Sequence, residues 1–167
     1  SLFARGQHNN PESRQAIHST EKKDKSTYNS SERSQESNQA IAKFWEIFES
    51  GAYDEIDPII IRLKALYLKD PNDAELALLI AHSHFWKIAE RFRLKDSISP
   101  NITDDLIIAE TYFLEAQKIT PKDSRIDGWL AGVRMSLASI HDNPKEAREA
   151  YFHGKKAIRK YPSFNHF

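Results

Sequence analysis

Apolar residues recur at alternating three- and four-residue steps through most of the chain from about residue 38 onward. That is the period of helices with one buried face. Ile41, Phe44, Trp45 and Phe48 open the pattern, and Ile59, Ile60, Leu63, Leu66 and Tyr67 continue it. Ile126, Trp129, Leu130, Val133, Met135 and Leu137 take it up again further on. Period-two alternation is nowhere sustained, so the pattern predicts helices and no strands. Three stretches follow a stricter rule. Ala109, Phe113, Ala116 and Pro121 read small, large, small, stop. Ile59, Leu63, Leu66 and Pro71 keep that spacing, as do Ala150, Gly154, Ala157 and Pro162, with partial changes of residue size. Small residues let a neighbouring helix approach, the large one fills the space between, and the proline blocks continuation.

Capping residues and breakers set the bounds. Ser37 or Asn38 can cap the first helix, and Gly51 ends it. Asp57 caps a second helix with Pro58 at its first position, and Asp70 with Pro71 stops it. Asn72 and Glu75 form a capping-box-like start. The helix that follows, over 73–94, meets no breaker and spans roughly 35 Å at about 1.5 Å per residue. Thr103, Asp104 and Asp105 start a fourth helix, with acids at its positive end. Asp123 or Ser124 caps the fifth, and His141, Asp142 and Asn143 turn the chain. Asn143, Pro144 and Glu146 start the last helix, which runs to Tyr161. The expectation is an all-α fold of three stacked antiparallel helix pairs, over about 38–71, 72–121 and 122–162. Each pair carries an apolar face that only a neighbour can bury.

The small–large–small–proline spacing resembles the tail of the tetratricopeptide repeat, a helix–turn–helix unit of about 34 residues. Gly51, Ala52 and Tyr53 resemble that family's glycine–x–tyrosine turn between paired helices. Trp129, Ala131 and Gly132 resemble its Trp…Leu-Gly signature, out of register by about one residue. Residue types match fully only at Ala109, Phe113, Ala116 and Pro121. The intervals between stop prolines, 50 and then 41 residues, are longer than the family's period, so the repeats are degenerate. The resemblance implies an α-solenoid whose first helices line a groove that binds a protein or peptide. With Ala81 at the close inter-helix contact, it places Glu75, Leu78, His82 and either Phe85 or Trp86 on the groove face, with Trp129 as a further candidate. The opposing reading has Phe85, Trp86 and Phe92 covering the long helix inside the core, and Trp129 carries the same two readings.

Composition changes this picture mainly at the N-terminus. Residues 1–37 are dominated by Ser, Asn, Gln, Glu and Lys and are too polar to offset the entropy of ordering. They read as a flexible polar leader before a helical domain at 38–167. A short helix near 11–17 would suit contact with the body or a partner, and the lysines at 22, 23 and 25 are too few for a nucleic-acid tail. The first residue is Ser1, which points to a trimmed chain or a removed leader. Removal would suit a secreted or periplasmic protein, though no residue decides the compartment. Phe164, Asn165, His166 and Phe167 either cover the last pair or lead into a longer chain. No run of about 18 apolar residues occurs, so no membrane span is expected. There is no cysteine to form a disulfide or a thiolate site.

Charge is balanced in total, 24 basic against 24 acidic residues, but not along the chain. Residues 41–121 hold nine basic and fourteen acidic side chains, a net of −5, and residues 122–167 hold nine and five, a net of +4. A mixed soluble surface accounts for this, and so does a dipolar surface that orients a charged partner.

Candidate chemistry is sparse. His82 and His84 stand about 200° apart on a helix and cannot share a metal. Asp54, Glu55 and Asp57 lack calcium-loop spacing. Lys155, Lys156, Arg159 and Lys160, near Tyr151, Phe152 and Tyr161, suit a helix C-terminus without any nucleic acid. No nucleophile elbow, phosphate loop or paired-carboxylate motif is present. The chain therefore reads as a non-enzymatic binding scaffold for a protein or peptide, with no metal and no cofactor. The alternative is a small-molecule binder or accessory subunit with its pocket between the long helix and its neighbours. Oligomeric state is not legible.

Overall fold

The computed structural model describes residues 33–94 and 101–162. The predicted leader, apart from its last five positions, lies outside the described residues, as do 95–100 and the apolar tail at 163–167. Among the described residues the fold is all-helical. Its helices are α1 (Gln35–Ser50), α2 (Ile56–Lys69), α3 (Ala74–Leu94), α4 (Ile102–Ile119), α5 (Ser124–Ile140) and α6 (Pro144–Lys160), with a short 3-10 turn over Tyr53–Glu55 leading into α2.

The helix stops follow the prolines. α2, α4 and α6 each end two residues before Pro71, Pro121 and Pro162. The residue between helix and proline takes nearly the same non-helical shape each time, φ −137° at Asp70, −125° at Thr120 and −144° at Tyr161. Steric conflict with the proline ring excludes the α conformation at that residue, so the helix ends there. Gly51 ends α1 with φ 67°, and its N–H donates to the carbonyls of Ile47 and Phe48.

Several starts fall one to three residues from where the spacing puts them. Ser34, not Ser37 or Asn38, caps α1: its Oγ accepts from the Ser37 N–H at 3.1 Å, and Ser37 is buried inside the first turn. Asp57 does not cap α2, because the 3-10 turn runs directly into that helix and supplies its first bonds. Asp73, rather than Asn72, caps α3, its Oδ1 accepting from the N–H groups of Glu75 and Leu76. α4 begins after Asn101 with no side-chain cap. Asp123 and Asn143 cap α5 and α6, as the sequence indicates.

Each helix packs on the next in order, and α1 also touches α3. Two apolar clusters result. One is built from α1, α2 and the Leu76, Leu79 and Ile80 side of α3. The other is built from the Ala77, Ala81 and Ile88 side of α3 with α4 and α5. A helix that serves two clusters must be apolar on both flanks, which is why 73–94 reads as almost continuously apolar. Ala109, Phe113 and Ala116 are fully buried in the second cluster, as the small–large–small rule requires. At Gly154 an added Cβ would lie 3.4 Å from the Ala131 Cβ, so α6 approaches α5 closely there.

The expected buried face of α1 needs correction. Ala40, Ile41, Phe44 and Ile47 form it, while Trp45 and Phe48 are 43% and 47% exposed. On α5, Ile126, Leu130 and Val133 are buried and Met135 is exposed. Both helices lie against neighbours on a narrower stripe than their full apolar content suggests.

Candidate functional site

α3 is buried on its two flanks and leaves one partly open stripe. Glu75, Leu78, His82, Phe85 and Trp86 are all partly buried and lie at three- and four-residue steps along it. Rings carried by α1 and α5 border the stripe on either side.

His82 and Trp129 come together. Their ring centroids are 4.4 Å apart and nearly perpendicular, at 89°. Trp129 also stacks almost parallel to Phe113 at 6.3 Å and meets Phe85 edge-on at 6.0 Å. Phe113 in turn meets His82 edge-on at 5.2 Å. Burial among these rings, with a smaller contribution from the Arg125 charge, lowers the His82 pKa to about 4. His82 is therefore neutral at physiological pH.

The other three candidates lie elsewhere along α3. Trp86 faces α1 and the turn after it, 4.9 Å from the Phe48 centroid and 5.0 Å from that of Tyr53. Leu78 packs against the second apolar cluster. Glu75 is ion-paired to Arg33 at 2.7 Å, and the same guanidinium makes two bonds to Asp73, at 2.7 and 3.0 Å. Glu75 thus belongs to a clamp that holds the start of α1 on the start of α3. The five residues share a stripe but do not converge on a point.

Sequence reasoning missed three participants. The spacing of Trp45 and Phe48 is that of core residues, although Ala40 and Ile47 already complete a buried face at positions 40, 41, 44 and 47. Arg93 was not singled out: its guanidinium lies 5.1 Å from the Tyr53 ring centroid and pairs with Glu90 at 2.9 Å. Only the structure brings Arg93 to a ring forty residues away.

A polar cluster lies on another side of α3, toward α2 and α4. His84 Nδ1 is 2.8 Å from Asp105 Oδ1 across the α3–α4 contact, and both side chains are buried. Lys87 links Asp105, at 3.6 Å, to Asp57 at the start of α2, at 2.9 Å. His84 Nε2 is buried without a hydrogen-bond partner. Desolvation, reinforced by Lys87, lowers the pKa of nearby Lys64. His82 and His84 thus face different surroundings on α3. Among the described residues, no three His or carboxylate side chains gather as a metal would require.

A cleft of about 350 Å³ opens between α4, α5 and α6, away from α3. Its walls include Glu110 paired to Arg134 at 2.6 Å, with Glu146, Glu149 and His153. The small-molecule reading needs its pocket beside α3, and this cleft is not there. Among the described residues no helix is long and apolar enough to cross a membrane. Comparison with known proteins finds no family model, no curated protein and no solved structure that matches this chain.

Proposed function

We propose that this chain is a non-enzymatic binding module made of tetratricopeptide-like helix pairs, which takes a protein or peptide segment along the open stripe of α3 and α5. The observation that carries the reading is that stripe itself: partly open aromatic rings at helical spacing on a helix otherwise buried on both sides. Rings that are held rigidly by a core yet open on one edge supply contact area at little entropic cost. Contacts between alternate helices support the stacked-pair arrangement. Phe48 of α1 meets Trp86 of α3, Phe85 of α3 meets Trp129 of α5, and Tyr67 of α2 meets Tyr112 of α4 at 5.6 Å.

The test is capture of a partner with the full chain as bait, followed by kinetics on variants. Trp129→Ala and His82→Ala should each raise the dissociation rate, Trp129→Ala by about thirtyfold if it is a hot spot worth roughly 2 kcal/mol. A captured partner that leaves both variants at the wild-type rate, with their helicity intact, would remove the stripe from the binding surface.

A further inference from the structure

The rings at the α1 end of the stripe, two exposed and two half-buried, lie in a stretch of chain rich in carboxylates. Trp45, Phe48, Tyr53 and Trp86 form a continuous patch, with successive centroids 5.9, 4.9 and 5.0 Å apart along the path Trp45, Phe48, Trp86, Tyr53. The neighbouring rings are all arranged edge-to-face. The chain around it, residues 41–57, holds five carboxylates and one base, Lys43, and one of the carboxylates, Asp57, is paired to Lys87 at 2.9 Å. That lysine is engaged by Glu46 at 2.9 Å and Glu55 at 3.7 Å. Glu49 and Asp54 are exposed, one on the same face of α1 as Trp45 and the other beside Tyr53.

Aromatic faces attract cations through the ring quadrupole, and carboxylates at the rim add to the attraction. One cation is already there. The Arg93 guanidinium lies over the Tyr53 ring at 5.1 Å, with more than half of its side chain open to solvent. A planar guanidinium stacks on rings and pairs with carboxylates at once, which an ammonium does less well.

We infer that the patch of Trp45, Phe48, Tyr53 and Trp86, with Glu49 and Asp54 beside it, is a docking site for an arginine-bearing peptide segment, and that Arg93 takes in cis one of the positions a partner's arginine would take. The inference rests on the binding-module reading above and adds the chemistry of the partner to it. Arg93 then acts as an internal competitor, and a docked segment displaces it from Tyr53 or stacks on the remaining rings.

The probe is a fluorescein-labelled Gly-Ser peptide carrying three arginines, compared with the same peptide carrying citrulline, the neutral isostere. Binding to the full chain is followed by fluorescence anisotropy at low salt. The arginine peptide should bind at least about tenfold more tightly than the citrulline peptide, and the difference should shrink with salt. Trp45→Ala with Phe48→Ala should remove binding, and both side chains are open enough for a melting curve to confirm that the fold persists. Glu49→Lys should weaken binding, and Arg93→Ala should tighten it roughly two- to fivefold. Equal binding of the two peptides, lost on Trp45→Ala with Phe48→Ala, would overturn the arginine chemistry while leaving the binding-module reading standing. Binding of neither peptide, or binding indifferent to Trp45 and Phe48, would overturn the site. Concentration-dependent self-association that blocks the peptide would make a second copy of this chain the occupant, and would overturn the inference in favour of that copy.

Discussion

His82 sits edge-on to two rings, and that position decides its charge. In the unfolded chain it takes up a proton near the ordinary histidine value of 6.5, and in the folded protein only near about 4. Between those values the unfolded state binds a proton that the folded state refuses, so stability falls as pH falls. The contribution is fully present above about pH 6.5, declines through the window down to about 4, and is lost below it. It amounts to on the order of 3 kcal/mol. Carboxylates titrate at the lower edge of the same window, so wild type must be compared with a variant. His82→Phe keeps a ring between Phe113 and Trp129 and removes the proton. Denaturant midpoints measured from pH 7.5 to 4.5 should fall more steeply for wild type than for His82→Phe, and parallel profiles would mean that His82 stays solvated.

At the level of single helices, the rules that proved legible are the ones with a local cause. A proline excludes the α conformation at the residue before it, so the ends of α2, α4 and α6 follow from sequence alone. Ala109, Phe113 and Ala116 are buried because a close helix crossing admits only that order of sizes, and this too was readable. What could not be read depends on contacts distant in sequence. Ser34 is ordered as a cap in a chain segment whose next neighbour, Arg33, grips Asp73 and Glu75 forty residues on. Trp45 and Phe48 have the spacing of core residues, but whether they are covered depends on how wide a face α2 and α3 present to α1. His82 and Trp129 were both singled out, yet nothing in the sequence showed that they meet. The small–large–small rule itself makes a prediction. Ala116 is fully buried in the apolar cluster shared by α3, α4 and α5, so Ala116→Leu adds three carbons where there is no space. It should overpack and cost about 1–3 kcal/mol, read as a lowered midpoint in a thermal or urea melt. Ala116→Gly is the informative partner: it should cost roughly 1 kcal/mol through helix propensity with no steric conflict.

For the molecule as a whole, the question is whether its two apolar clusters unfold separately or together. α3 lends Leu76, Leu79 and Ile80 to one cluster and Ala77, Ala81 and Ile88 to the other, so neither can lose α3 without exposing the other's flank. Tyr67 and Tyr112 pack against both clusters and against each other. Repeat proteins of many units unfold in stages because each unit touches only its neighbours. With one central helix shared between its two clusters, this chain should behave as a single cooperative body. Leu63 in α2 and Leu106 in α4 are both fully buried, one in each cluster. Replacing either by Ala should cost about 2–5 kcal/mol. Native-state hydrogen exchange then separates the two cases. If the clusters are coupled, Leu63→Ala should lower protection in α4 and α5 by the same factor as in α1 and α2, about thirtyfold for a loss of roughly 2 kcal/mol. If α4 and α5 keep their wild-type protection, the clusters are independent units that merely share a helix. The outcome bears on the proposed binding stripe as well. The stripe takes Trp86 from the side of α3 that faces α1 and His82 from the side that faces α5, so a coupled molecule would transmit damage at Leu63 to Trp129 and an uncoupled one would not.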